Sequence, residues 1–257
     1  MLAENSTAFV IRLADFSESS RVVTLFTRDF GKICCIAKGA KRLKSAFDSA
    51  LDLLSLCHIT FRRKSSDSLH LLTEAKLSHR FHPPANSLTH LYGGYYVAEL
   101  LNVMTETDDP HPNLFTLTER CLAGLEDMGS DGKTPSDPRI HIVQFELAIL
   151  RETGHIPDFE ACVLCHNPVQ PGAKGRYWLS QGGLLCEQCG KPEYDQTTIS
   201  GGVISILRRL SEETSSAFVQ RLNIRSEQWV ELRRVMNSAI SYVIGKRPKM
   251  LAYLNFR

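Results

Sequence analysis

Between Thr7 and Lys76, apolar and polar positions alternate in five short runs: Thr7–Leu13, Arg21–Thr27, Lys32–Lys38, Leu53–Phe61 and Leu69–Lys76. Each run is rich in β-branched and aromatic residues, which fit a pleated, half-buried surface, so each predicts a strand. Arg28-Asp29-Phe30-Gly31 has the length and the glycine of a hairpin turn, while Gly39 to Ala50 is a longer connection with room for a short helix. Five strands in so short a stretch predict a small closed barrel, with the five-stranded OB-fold as the leading arrangement. Phe9, Phe26 and Phe61 keep step with the alternation and predict core; Phe16 and Phe30 fall in loops, where a ring could stack on a base.

Beyond His82-Pro83-Pro84 the period lengthens to that of a helix. One face collects Leu88, Leu91, Tyr92, Tyr95 and Ala98, a second Leu114, Leu117, Cys121, Leu122 and Leu125, and a third Ile140, Val143, Leu147 and Leu150, with Gly154 as its stop. After a cysteine-rich insert the pattern resumes at Val203, Ile206, Leu207 and Leu210, with Ser200 in N-cap position. A last helix carries Trp229, Leu232, Met236, Ala239 and Val243 and stops at Gly245, before the basic Lys246-Arg247-Pro248-Lys249. The expected organisation is α+β and multidomain: a barrel over 1–80, a helical domain over 81–157 and 196–257, and an insert at 158–195.

Composition narrows the function classes. The 257 residues carry a net charge of only +2, but residues 1–80 hold 13 Lys+Arg against 8 Asp+Glu, and the remainder 17 against 20. The basic excess therefore sits on the barrel, where it favours a polyanion. No run of about 18 uncharged apolar residues occurs and the first residues lack a signal-peptide pattern, so the expectation is a cytoplasmic protein with no membrane partner. Its eight cysteines are then expected as thiols or metal ligands.

Four of them stand in a specific pattern: Cys162-Val-Leu-Cys165, twenty residues, then Cys186-Glu-Gln-Cys189. Two residues between paired cysteines let one tight turn aim both sulfurs at a single ion, and two such turns complete a tetrahedron. One structural Zn2+ is the expected occupant. A redox dithiol would need a βαβ context that is missing, disulfides need another compartment, and iron fits the same geometry with a rarer outcome. Arg176-Tyr177-Trp178-Leu179 and Gln181-Gly182-Gly183 predict a hairpin of zinc-ribbon type between the pairs. Four thiolates leave no open position for water, so the site holds structure and hydrolyses nothing. His166 is expected to be exposed, and Cys34, Cys35, Cys57 and Cys121 to serve as small apolar residues.

The chemistry of the barrel lies in its cations. Lys38, Lys41, Arg42 and Lys44 follow the third strand, Arg62 and Arg63 end the fourth, and Arg21 and Arg28 bracket the second. At the rim of a barrel they would meet phosphates. Loops are commonly solvated by such residues too, and the barrel context is what favours nucleic acid. The motifs H-x-E with P-C-x-x-C, G-x-x-x-x-G-K-[ST], H-E-x-x-H and G-x-S-x-G are all absent, which argues against a zinc deaminase or hydrolase. A zinc-ribbon adaptor that binds only proteins is the remaining alternative.

The joint order of several stretches resembles the RecO family of bacterial recombination mediators. It is carried by Ala37-Lys38-Gly39-Ala40-Lys41-Arg42 with Lys44-Ser45, by Gly94-Tyr95-Tyr96-Val97-Ala98-Glu99-Leu100-Leu101, by Pro110-His111-Pro112-Asn113-Leu114-Phe115, by the four cysteines and by Gly245-Lys246-Arg247-Pro248. The resemblance implies an N-terminal OB-fold, a helical domain and a zinc module in a nucleoid-associated, non-enzymatic protein. It also implies binding of single- and double-stranded DNA, strand annealing, and loading of the RecA recombinase together with RecR and the tail of single-strand-binding protein. One departure stands out: the family's basic loop continues with a further cation, whereas this chain reads Ala46-Phe47-Asp48.

Overall fold

The computed structural model describes residues 3–42, 45, 47, 50–64, 69–127, 136–170, 172–212 and 222–254. These residues form two compact units, 1–126 and 127–257.

In the first unit five strands, β1 (Ala3–Asp15), β2 (Arg21–Thr27), β3 (Gly31–Ala37), β4 (Leu56–Arg62) and β5 (His70–His79), close into a barrel in the order β1-β2-β3-β5-β4. β1 is long enough to pair with two neighbours. Its first half runs antiparallel to β4 and its second half to β2, with a register shift between Val10 and Arg12 where the strand turns the corner. β3 and β5 pair in parallel, which completes the OB-fold. The inward positions follow the alternation: Ala8, Val10, Val23, Leu25, Ile33, Cys35, Ala37, Cys57, Ile59, Phe61 and Leu72 are all buried together. Phe47, Ala50 and Leu51 from the β3–β4 connection join them. Phe47, in the stretch that departs from the basic pattern, is thus an anchor in the barrel core. The short helix expected between Gly39 and Ala50 falls in part on residues outside the described ones (43, 44, 46, 48 and 49), and the described residues 39–42 form turns.

Phe9 and Phe26 face each other across β1 and β2 and point out of the barrel. Both pack on Phe115, at ring distances of 5.2 and 6.1 Å. Phe115 belongs to α2 (Pro112–Glu126), which follows α1 (Leu88–Met104). The expected core face of α1 holds only at Ala98: Leu88 is 62% exposed, and the buried residues are Gly93, Gly94, Tyr96, Val97, Ala98, Leu100 and Leu101. The apolar residues of α1 cover more than half of its circumference, so their spacing alone did not decide which face turns inward. Gly31, at φ +66°, lies against the Asp109 backbone where a Cβ would collide. Next to it the Lys32 ammonium donates to the Asn102 and Thr105 carbonyl oxygens at 2.7 and 2.5 Å, capping the end of α1.

The second unit contains α3 (Pro138–Glu152), a small sheet of β6 (Gly172–Trp178), β7 (Gly183–Leu185) and β8 (Gln196–Ser200), then α4 (Gly201–Glu212) and α5 (Ser226–Ile244). The sheet order is β7-β6-β8. Its first two strands are the expected hairpin, while β8 was not foreseen; Ser200 ends β8 directly before α4, in the expected cap position, and donates its N–H to Glu231. Gly245 ends α5 at φ +73°, the left-handed C-cap that glycine adopts without strain.

α3 is buried nearly all round, and one of its buried residues is Glu146. Arg233 of α5 answers it with two hydrogen bonds of 2.6 and 3.0 Å and also donates to Asn237 at 2.6 Å. A fully buried carboxylate is tolerable only with such a partner. Glu146→Gln should therefore lower unfolding free energy by about 3 kcal/mol by leaving the guanidinium uncompensated, whereas Glu146→Leu with Arg233→Met should return to within about 1 kcal/mol. Urea unfolding of the three proteins checks this; a silent single substitution would show that the pair is not desolvated.

Candidate metal centre and nucleic-acid surface

Two tight turns bring the four cysteines together. In the first, the His166 N–H donates to the Cys162 carbonyl at 2.8 Å and the Cys162 N–H to the Asn167 carbonyl at 2.9 Å. In the second, the N–H groups of Cys189 and Gly190 both donate to the Cys186 carbonyl, at 3.2 and 3.1 Å. A bridge from Cys162 to Leu184 of β7 sets the first turn beside the second. All four Sγ atoms lie within 4.8 Å of one another, and those of Cys165 and Cys186 are 3.7 Å apart. Sulfurs bound tetrahedrally at about 2.3 Å from an ion sit roughly 3.8 Å apart, so the set is spaced for a four-thiolate site.

The thiols are also electrostatically unlike. Against burial, which raises it, backbone N–H groups of Cys165, Cys186 and Leu164 bring the Cys162 thiol down to about 6. Hydrogen bonding to Cys186 and Cys165 pushes Cys189 up to about 12. Without a cation the cluster cannot carry four negative charges at neutral pH; a divalent ion removes that obstacle. His166 is exposed and takes no part in this cluster. Of the other cysteines, Cys35, Cys57 and Cys121 are buried and Cys34 is half-buried. Burial holds the thiols of Cys35 and Cys57 at about 12 and about 11.

The eight barrel cations fall into distinct groups. Lys38, Arg42 and Arg62 are exposed and make no side-chain hydrogen bond or ion pair to any described residue. Arg21 and Lys41 share Asp15, at 3.3 and 3.0 Å, and the Lys41 charge and hydrogen bond, then those of Arg21, hold the Asp15 carboxyl below its usual range. Arg28 pairs with Glu119 of α2 at 3.2 Å and lies over Phe115. Arg63 is bound to Glu4 and Asp108, at 3.2 and 2.5 Å, and covers Phe30 and Phe61. Arg28 and Arg63 therefore hold α2 and the α1–α2 loop to the barrel. Lys44 lies outside the described residues.

The two loop phenylalanines separate as clearly. Phe30 packs edge-on against Phe61 at 5.5 Å. Phe16 is 62% exposed at the tip of the β1–β2 loop, where its own N–H and that of Ser17 both donate to the Ser20 carbonyl. That loop is tied to the basic loop twice, through Asp15–Lys41 and through the Lys41 N–H on the Ser19 carbonyl at 3.1 Å. Spacing could not have revealed the tie, because it joins residues far apart in sequence.

Comparison with known proteins agrees with this architecture. The model of the recombination protein O N-terminal region matches residues 1–81, and that of its C-terminal region matches residues 85–252. The DNA repair protein RecO of Rhodopirellula baltica is 35% identical over 96% of this chain and 97% of its own length. Its counterpart in Myxococcus xanthus is 30% identical over 96% of this chain and 95% of its own, and that of Syntrophus aciditrophicus 28% over 96% and 93%. With both family regions matched in order along nearly the whole sequence, the chain belongs to the recombination protein O family.

Proposed function

We propose that the chain is a non-enzymatic DNA repair and recombination mediator that binds DNA on its barrel and carries one structural Zn2+ on Cys162, Cys165, Cys186 and Cys189. The observation that carries this reading is the exposed Phe16 held beside a basic loop whose Lys38 and Arg42 have no side-chain partner among the described residues. Cations of this kind bind phosphates irrespective of sequence, and a rigid exposed ring offers any base a surface to stack on. Strands held in this way keep their pairing edges free, which is what annealing of complementary strands requires. Single- and double-stranded DNA are the substrates of this reading. RecR, the tail of single-strand-binding protein and, indirectly, the RecA filament are its protein partners, in the cytoplasm at the nucleoid.

The four thiolates would saturate the metal, so the site would supply rigidity to the turns and no bound nucleophile. Nothing in the cluster pairs an acid and a base around an open coordination position. Metal analysis of protein prepared under reducing conditions should find about one zinc per chain. Cys186→Ser should lose it and melt at a lower temperature than Cys121→Ser does. Because protons and metal compete for the same sulfurs, zinc affinity should fall as pH falls. Full occupancy by iron would remove zinc from this account.

For DNA, each neutralised phosphate on a single strand contributes about −0.7 to the log–log dependence of affinity on salt. Reversing Lys38, Arg42 and Arg62 to Glu should therefore weaken binding and flatten that slope by about two units. Phe16→Ala should weaken binding by roughly fivefold or more with the slope unchanged, since stacking releases no counterions. Arg28→Gln and Arg63→Gln should instead lower thermal stability and leave the slope alone. Anisotropy of labelled oligonucleotides across a salt series reads all of these. Wild-type affinity and slope in the triple variant would take the DNA off the barrel, and no DNA binding by the wild type at low salt would favour an adaptor that binds proteins only.

A further inference from the structure

The outer face of the three-stranded sheet combines cations and rings in a way that packing of the second unit does not require. Gly175 and Tyr177 of β6 are buried, Tyr177 completely, so strand alternation brings Lys174, Arg176 and Trp178 out on the opposite face. Lys174 makes no hydrogen bond or ion pair with any described residue. Arg176 donates only to the Gly190 carbonyl, at 3.2 Å. Trp178 lies flat on Tyr194, with ring centroids 4.3 Å apart and planes 15° from parallel, and the Lys191 ammonium stands 5.9 Å from the Tyr194 ring.

Lys174, Gly175, Arg176, Leu185, Glu187 and Thr198 enclose a recess of about 360 Å³ on this face. Its floor is apolar, its rim holds two cations, and Glu187 and Thr198 can accept or exchange hydrogen bonds with a base edge. The lining has one acid against two bases, so the recess favours an anion. Two cations followed by a ring on successive outward positions, with Lys191 and Tyr194 beside the ring, match a polymer that carries both phosphates and flat bases. A duplex hides its base faces and would leave the Trp178–Tyr194 pair unused.

We infer that this sheet face binds single-stranded nucleic acid, with phosphates on Lys174, Arg176 and Lys191 and a base against Trp178 and Tyr194. The inference rests on reading the chain as a DNA-binding protein and gives it a second strand-holding surface, in the unit that does not contain the barrel. One chain then holds two strands, the condition for annealing them without a second copy.

The test uses the full-length, zinc-loaded protein and an oligothymidylate of roughly ten nucleotides, close to what one barrel-sized site covers. The wild type should bind two oligonucleotides per chain and lose tryptophan fluorescence, a loss that Trp178→Phe abolishes. Lys174→Glu with Arg176→Glu should bind one, flatten the salt slope by about 1.4 units, and anneal complementary strands more slowly. Reversal of Lys38, Arg42 and Arg62 should also leave one oligonucleotide bound, now with the fluorescence loss intact. If the Lys174/Arg176 variant still binds two, or if reversing the barrel cations removes all binding, the sheet face is not a site. If the barrel variant binds as the wild type does and the sheet variant binds nothing, the barrel reading falls and this one stands. Zinc content and melting temperature show that each variant is folded. Should the double variant lose zinc, Lys174→Glu alone, whose side chain has no partner among the described residues, reads the same stoichiometry.

Discussion

A barrel of five strands exists only if its first strand can reach both open edges, and β1 does so by turning a corner between Val10 and Arg12. Closure leaves no unpaired edge to recruit another chain, and it encloses Ala8, Val10 and their neighbours in a single core. Beyond the corner β1 runs along β2 to Asp15, and the tie of Asp15 and Ser19 to Lys41 joins its end to the loop that leaves β3. The nucleic-acid surface proposed above follows from the meander within the barrel: Asp15 pairs with Arg21 and Arg21 with Ala37, which puts the turn carrying Phe16 beside the loop that leaves β3.

What could be read from the sequence was whatever depends on local period or fixed spacing. The alternation in Arg21–Thr27 located β2 to the residue, and the spacing of Cys162, Cys165, Cys186 and Cys189 located the four-cysteine cluster, because two tight turns leave little freedom. α1 was harder. Leu88 fits the apolar spacing and yet is exposed, while Gly94, which carries no hydrophobic signal, is buried where a Cβ would meet Phe81 and Leu54. Burial of a glycine records how close two elements approach, a property of the packed pair and not of the segment. β8 escaped for a related reason: Gln196-Thr-Thr-Ile-Ser is too short and polar to announce a strand, and becomes one because β6 offers it an edge.

Charge was legible as a total but not as an allocation. Residues 1–80 carry the basic excess, but four of the eight barrel cations singled out, Arg21, Arg28, Lys41 and Arg63, are taken up by carboxylates of β1, α2 and the α1–α2 loop. Such residues look alike in sequence and differ in what their removal costs. An arginine bound to two carboxylates stabilises the fold, whereas a lysine facing water adds to the field that draws in a polyanion.

The outward pair Phe9 and Phe26, covered by Phe115, bears on how the protein can be divided. The matches to the two family regions change over between residues 81 and 85, but the contacts of the first unit extend to Glu126. A fragment cut at the family seam would lay bare two adjacent aromatic side chains on the barrel wall and strip Lys32 of the carbonyls it caps. The smallest autonomous piece of this half is accordingly the barrel with both helices. A gene fusion or truncation made at the seam would yield a sticky, poorly soluble product however intact its strands.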